Sequence, residues 1–349
     1  RDIVSHRHPD LEVNPKNIKD GLWLVGNAVW NNKIIPNYNN ETVFFENKNC
    51  VGAYLKEQSG KQFLDNNFSH KKLKSIESKR IDIILCMYLW DIIDYIGKNI
   101  NDDKKYFTQQ GKLSSNSRFF ERNSKKLINS QNILIGKVEI QPNVVLDATY
   151  GPIIIDDNVK IKSNTHLEGP LYVGNGSIIS PLSYVKNSVI GSMCKIGGEI
   201  NSVVIEGYTN KVHYGFLGNS YIGEWVNFGA GTTNSNLKNN YGKVRVQMND
   251  EVFETNRIHL GCFIGDYVKT SIGTKINTGS VYGPGSMIFS KNFPLKNIPI
   301  LTWYTDSGMS RVGIDKFILN CHRMKKRRGV DFDIVEEQFY RNLFLKVEK

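Results

Sequence analysis

The chain has 349 residues, with 45 Lys and Arg against 34 Asp and Glu, a formal charge of +11. Apolar residues make up 40 %, enough for a sizeable core, which excludes a wholly disordered chain. No uncharged apolar run reaches the roughly 18–20 residues that span a bilayer, and the positive balance points to anionic partners. Length alone predicts two domains, or one solenoid with appendages. Cys50, Cys86, Cys194, Cys262 and Cys321 form no CxxC pair, so reduced thiols in a cytoplasmic setting are expected. No secretory leader is visible. The chain opens on Arg1 and not Met, so an upstream segment is expected to be missing.

Residues 1–130 mix short apolar runs with basic, Asn-rich stretches. Leu22–Val25, followed by Gly26 and Asn27, predicts a buried strand entering a turn. Ile81–Ile96, carrying Asp82, Asp91 and Asp94, predicts a buried helix. Ser114–Ser117 and Asn123–Ser124 read as loop or linker.

From about 133 to 290 apolar residues recur every six positions. Ile155, Ile161 and Leu167 form one run, and Val173, Ile179 and Val185 the next. Ile190 with Ile196 and Ile222 with Phe228 keep the spacing, and Ile264, Thr270, Ile276, Tyr282 and Ile288 close it. A period of six fits neither a helix nor plain alternation. It fits a triangular β-helix in which each hexad is a short strand plus a corner, with the anchor pointing inward. Gly, Asp or Asn often follows the anchor, as in Ile190-Gly191 and Phe228-Gly229, and is expected to let the chain turn. Three hexads make a coil of about 18 residues, which leaves room for about eight coils.

Gly198–Gly215 and Asn236–Arg257 interrupt the phase. Solenoid insertions gather on one face, and that face is an expected ligand face. In the tail, Ile314, Phe317, Ile318 and Cys321 predict one amphipathic helix, and Val335, Phe339, Leu343 and Phe344 a second. Between them lies the basic run Lys325–Arg328, ended by Gly329. The expected organisation is an α/β region over 1–130, the β-helix over 131–305 and a helical tail over 306–349.

His213-Tyr-Gly-Phe-Leu-Gly218 leads into Ile222-Gly-Glu-Trp-Val-Asn-Phe-Gly-Ala-Gly-Thr232. This stretch resembles the acetyltransferase half of the bifunctional N-acetylglucosamine-1-phosphate uridyltransferase / glucosamine-1-phosphate acetyltransferase family. Cys194–Glu199 (CKIGGE), Thr209–His213 (TNKVH), Thr232–Gly242 (TTNSNLKNNYG), Phe263–Asp266 and Asn277–Gly279 look like its variant sugar nucleotidyltransferase branch in Bacteroidetes-type bacteria. Phe293–Trp303 and Arg327–Gly329 also fit, and Leu89-Trp90-Asp91 fits the region before the solenoid. The likeness covers about 135–345. It implies a left-handed parallel β-helix of hexapeptide repeats, an N-terminal partial α/β nucleotidyltransferase-like region and a C-terminal helical tail.

The resemblance also implies a reaction. Acyl transfer from a thioester to an amine needs a base and donors for the oxyanion. The family puts its base at His213, and an imidazole suits the task near neutrality. Glu199, a little less than one coil upstream, is the expected carboxylate that orients it. Asn227 and Asn236 match positions that contact the amino sugar, and Phe216 stands where the family has Tyr. Lys195 and Lys211 are candidates for the sugar phosphate, since Asn201 stands at the family's Lys position and no Arg lies near Ile179-Ser180-Pro181. Gly229, Ala230 and Gly231 would expose amides along a coenzyme A groove, and Lys325, Arg327 and Arg328 would meet the nucleotide phosphates. The implied co-substrate is acetyl-CoA, the acceptor a glucosamine-1-phosphate-like amino-sugar phosphate, and the assembly a homotrimer feeding nucleotide-sugar and cell-envelope synthesis.

Three other readings remain at this stage. Sugar-1-phosphate nucleotidyl transfer, of the UDP-N-acetylglucosamine pyrophosphorylase type, would need Mg²⁺. Its phosphate loop is missing, and Asn27 stands where a Gly-Asp pair is expected, a weaker Mg²⁺ ligand. A non-catalytic trimeric scaffold would keep the solenoid without binding coenzyme A. A γ-type carbonic anhydrase needs three gathered His, and His166, His213 and His259 are far apart in sequence, so no metal site is expected. Charge alone does not signal nucleic acid, since no basic-aromatic interleaving, zinc finger or RNA-recognition signature accompanies it.

Overall fold

The computed structural model describes residues 2–9, 11–14, 19–30, 38, 40–65, 76–109, 126–248 and 250–347. Its contacts form two compact units, 1–88 with 333–339, and 89–332 with 340–349. The break at Tyr88/Leu89 precedes the texture change near 130, because the helices that follow it pack on the solenoid. Ser114–Ser117 and Asn123–Ser124 lie outside the described residues.

The first unit holds helices α1 (Asp2–Arg7) and α2 (Glu57–Asp65) and a four-stranded sheet. The strand order is Gly21–Leu24, Asn49–Leu55, Thr42–Glu46, Glu77–Arg80, antiparallel except for the last pair. Val43, Ala53, Leu55 and Phe63 close one core, and Phe44, Val51 and Ile83 another. The strand expected at Leu22–Val25 forms, but at the sheet edge and only half-buried. Asn27 follows it, and its amide nitrogen donates to the Cys86 carbonyl (3.4 Å). That bond uses its Nδ2 and not the Oδ1 by which an amide would ligate a metal, and as a neutral group Asn27 is a weaker Mg²⁺ ligand than the aspartate expected there.

The helix expected over Ile81–Ile96 forms only in its last third. Ile84–Leu85 pairs with Ala28–Val29 as a short strand, as suits β-branched side chains. In the second unit the chain becomes helical only at α3 (Asp91–Asp94) and α4 (Ile96–Gln109).

The solenoid follows. It is a left-handed parallel β-helix of about 10 turns, with three walls visited in turn. The first wall carries Val145–Asp147, His166–Glu168, Tyr184–Lys186, Glu199–Asn201 and Phe216–Gly218 in one parallel ladder. The second carries Ile153–Ile155, Leu171–Val173, Val203–Ile205, Ser220–Ile222 and Cys262–Ile264. The third carries Lys160–Ile161, Ile178–Ile179, Lys195–Ile196 and Asn210–Lys211, then Asn227, Lys269–Thr270 and Met287–Phe289. All fifteen hexad anchors are buried. Thr270 is accommodated by a hydroxyl bond to Thr232 (2.8 Å) and by the Gly229 amide, which donates to it. More than eight turns fit because coils shorten, to 15 residues between Lys195 and Asn210.

Two elements cover the second wall. Trp90, Ile93, Ile96 and Ile100 of the α3–α4 segment pack there with Phe263. Val244 and Val246 join them from a hairpin, Arg245–Met248 with Glu251–Glu254. The 236–257 excursion, expected on a ligand face, is therefore a cover. Arg257 at its end fastens α3 through Asp91 (3.0 Å) and Asp94.

The tail forms α5 (Ile314–Lys326) and α6 (Ile334–Val347). Tyr267, fully buried at a coil corner, meets the rings of Phe317, Phe332 and Tyr340 edge-on at 5.4–6.1 Å, which docks α5 on the solenoid. No helix among the described residues is long and apolar enough to cross a membrane.

Candidate functional site

The structure sorts the sequence-derived residues into two neighbouring sets, with Glu199, Lys211 and Lys325 belonging to neither. The first set lies at the corner between the third and first walls. His213 is exposed there, and Tyr214 is 76 % exposed. The glycines of the next coil lie close beside it. A Cβ on Gly231 would come within 2.9 Å of the Tyr214 hydroxyl, and one on Gly215 within 2.2 Å of the Thr232 carbonyl. Phe216 and Asn236 both flank Gly218, and Asn236 donates to Asn219 (2.7 Å). The corner thus gathers His213, Tyr214, Phe216, Asn236 and the Gly229–Gly231 run. Sequence reading missed Tyr214.

Glu199 does not complete the corner as expected. In the ladder it pairs with Phe216, and no hydrogen bond joins its carboxylate to the His213 imidazole among the described residues. Gly229 is also spoken for, since its amide donates to Thr270 (3.1 Å).

The second set lines a groove of about 510 Å³ along the third wall. Its floor is the row of outward residues Lys195, Asn210, Asn227, Lys269, Met287 and Trp303, each on its own coil. Five strand spacings make this row roughly 24 Å long. Asn320, Arg323, Met324, Arg327 and Arg328, from α5 and its end, form the other side. Five of the lining residues are basic and none is acidic. Arg328 and burial, with Arg327 behind them, hold the Lys195 ammonium below its ordinary pKa, and burial does the same to Lys269. Uncompensated positive charge of this kind calls for an anion. Flat apolar surface accompanies it. Tyr208 stacks on Trp225 (4.2 Å, 9°), and Phe289 on Trp303 (5.0 Å, 7°).

Arg328 also braces the floor. It donates to Asn210 (2.8 Å), and Asn210 donates to Asn227 (3.2 Å). The C-terminal segment is thereby tied to Asn227. Lys269 and Arg323 were not read from sequence. The signal was available, because the residue before each third-wall anchor (Lys195 before Ile196, Asn227 before Phe228, Lys269 before Thr270) faces this groove.

Two expected phosphate cations are corrected. Lys325 is 5 % exposed, with its ammonium between the rings of Trp225 and Phe332 (5.4 and 5.5 Å), so it braces the aromatic cluster and does not line the groove. Lys211 is 3 % exposed and turns inward, donating to the carbonyls of Gly197 (2.9 Å) and His213 (2.8 Å). Burial alone lowers its pKa from 10.5 to about 8. Between these values the unfolded chain binds the extra proton, so stability rises with pH. Relative to Lys211→Met, the wild type is expected to gain about 3 kcal/mol as pH goes from 7.5 to above 10.5. Urea unfolding of both proteins across that range checks it, and parallel curves would contradict it.

His166, His213 and His259 do not gather. Among the described residues, the group with metal-ligand spacing is His6, Asp333 and Glu336 in the first unit, where Asp333 also caps α6 through the amides of Val335 and Glu336. No disulfide joins the five cysteines, and burial pushes the Cys194 and Cys262 thiols up to about 12.

No family model matches the chain. It is 38 % identical over 168 residues to the bifunctional sugar-1-phosphate nucleotidylyltransferase/acetyltransferase of Sulfurisphaera tokodaii, a stretch that takes in 47 % of this chain and 40 % of that one. It is 32 % identical over 150 residues to the bifunctional protein GlmU of Thermodesulfovibrio yellowstonii, covering 42 % and 30 % of the two chains. Among solved structures, Arabidopsis UDP-N-acetylglucosamine acyltransferase aligns over 57 % of this chain and 76 % of its own, at 13 % identity and a TM-score of 0.30. The likeness in sequence is therefore to bifunctional nucleotidyltransferase/acetyltransferases, and it spans less than half the length of these two relatives.

Proposed function

We propose that the chain is an acyltransferase that moves an acetyl group from acetyl-CoA to the amine of an amino-sugar phosphate such as glucosamine 1-phosphate. The observation that carries this reading is the groove: five basic side chains, no carboxylate and two stacked aromatic pairs, reaching the coil whose corner holds His213. A nucleotide-tailed thioester matches it in charge, planarity and length. The cations at Lys195, Arg323 and Arg327 receive phosphates, and the rings receive the base.

At the corner, His213 takes the proton of the attacking ammonium. The amine nitrogen bonds to the thioester carbonyl carbon, the carbon–sulfur bond breaks, and a second proton passes from the nitrogen to the sulfur, so that coenzyme A leaves as the thiol. The amides of Ala230 and Gly231 face the developing oxyanion in this reading. Asn236 orients the sugar at the corner, and Asn227, expected beside it, lies on the groove floor that receives the donor. A homotrimer, and a place in the variant nucleotidyltransferase-like branch, accompany the proposal.

Calorimetric titration of acetyl-CoA into wild type and the double variant Lys195→Glu/Arg327→Glu tests it. The wild type is expected to bind, more weakly as salt rises, and the double variant at least about tenfold more weakly, since two attractions become repulsions. Absence of binding to the wild type would overturn the reading and leave a scaffold. Binding without thiol release against glucosamine 1-phosphate would keep the donor and replace the acceptor.

A further inference from the structure

The inward row of the third wall runs Ile140, Ile161, Ile179, Ile196, Lys211, Phe228, Thr270, Ile288. One position in this row carries a charge, and no carboxylate answers it. A buried ammonium is unfavourable unless hydrogen bonds compensate for lost water. Lys211 finds two, the carbonyls of Gly197 and His213, at the same corner of successive coils. A lysine at the anchor position is therefore tied to the one corner that carries the candidate base.

Gly198 (φ +82°) and Gly215 (φ +122°) sit in conformations that side-chain-bearing residues rarely adopt, and the coils close on them, since a Cβ on Gly198 would meet the Gly215 carbonyl oxygen at 2.6 Å. From within the solenoid, Lys211 adds two hydrogen bonds to this closely packed backbone. Among the described residues no hydrogen bond joins a carboxylate to the His213 imidazole, so the place of its main chain is the part of its position that the solenoid holds.

We propose that Lys211 is a positioning residue for His213. From inside the solenoid its ammonium clamps the His213 carbonyl to that of Gly197, and this fixes the base against the incoming amine without touching substrate. The inference rests on the acyl-transfer reading of the corner. A misplacement of about 1 Å at a reacting group costs on the order of 100-fold in rate, so a slack clamp is visible in turnover.

The test compares wild type, Lys211→Met, Lys211→Gln and Ile196→Ala. The first variant removes every donor, the second keeps a neutral donor, and the third cuts a cavity in the same row of the neighbouring coil. Each is checked for folding by thermal melting, for acetyl-CoA binding by calorimetry, for thiol release, and for amide hydrogen exchange at 212–215. Expected for Lys211→Met are unchanged donor affinity, kcat lower by about 10- to 100-fold, and faster exchange at 212–215. Lys211→Gln is expected to fall between it and wild type. Ile196→Ala is expected to lose stability while keeping kcat. Equal kcat in Lys211→Met and wild type, unchanged exchange, or an equal kcat loss in Ile196→Ala would overturn the proposal. Should Lys211→Met fail to fold, Lys211→Gln decides by the same readings. A wild type that binds donor yet releases no thiol with any amino-sugar phosphate overturns the acyl-transfer reading, and the role of Lys211 falls with it. An active wild type with an equally active variant overturns the role alone.

Discussion

Replacing His213 with alanine is expected to lower kcat for thiol release by about 10²- to 10⁴-fold and to leave acetyl-CoA affinity within about twofold of wild type. The first part follows from chemistry, because an ammonium must shed its proton before nitrogen can attack a carbonyl carbon, and alanine offers no acceptor. The second follows from geometry. His213 stands at the corner after the third wall, whereas the donor's phosphates are assigned to Lys195, Arg323 and Arg327 in the groove. Rapid-quench or continuous thiol assays at saturating donor give kcat, and calorimetry gives the affinity. A loss under tenfold would remove His213 as the base. A loss of binding equal to the loss of rate would put the imidazole in the donor site.

Gly191→Val is expected to abolish the native fold, at a cost above about 4 kcal/mol. A Cβ at Gly191 would lie 1.8 Å from the Glu206 carbonyl oxygen and 2.4 Å from its carbon, both backbone atoms of the next coil. Neither can retreat without parting two coils that are hydrogen-bonded on all sides. Gly273→Ala, where a Cβ meets nothing within 4 Å, is expected to cost only the strain of its left-handed backbone (φ +74°), about 1–2 kcal/mol. Urea midpoints and soluble yield measure both. Comparable stability of the two variants would refute the close-approach account.

That contrast marks what the residues disclose and what they withhold. The period of six identified the inward rows correctly, since a short-range repeat leaves its trace in adjacent sequence. The glycines after the anchors were equally visible, but their reason was not. Gly191, Gly197 and Gly229 are small because the neighbouring coil presses on them. The left-handed bends are taken by other residues, Met193, Tyr208, Trp225 and Tyr267 among them. A single sequence shows smallness and cannot show what lies against it.

The candidate site was half legible. Lys195, Asn227, Arg327 and Arg328 come together as one lining, but the groove depends on α5 folding back along the third wall, and local sequence carries no sign of that. Lys325 was misassigned although its spacing held the answer. It stands four residues after Cys321 on the stripe that buries Phe317 and Ile318, and the helical period places it inside. Lys211 was misassigned because the hexad phase lapses around it, so an anchor position passed for surface. The first unit was read least well. Its short strands pair across long separations, and Ile81–Ile96 offered an apolar run whose length fitted a helix as readily as a strand.

The lysine inside the column bears on how the column finds its alignment. Inward rows built from repeated isoleucine and valine distinguish poorly between a coil stacked on its true neighbour and one displaced by a full turn, since either arrangement buries similar surface. A row interrupted once by an ammonium differs at one level from the rest of the column. One of its two acceptors, the His213 carbonyl, travels with Lys211, and the other belongs to the neighbouring coil at Gly197. A displaced stacking would ask a different coil for that second carbonyl and set the charge among different inward neighbours, so this one level of the column is marked where the aliphatic levels are not.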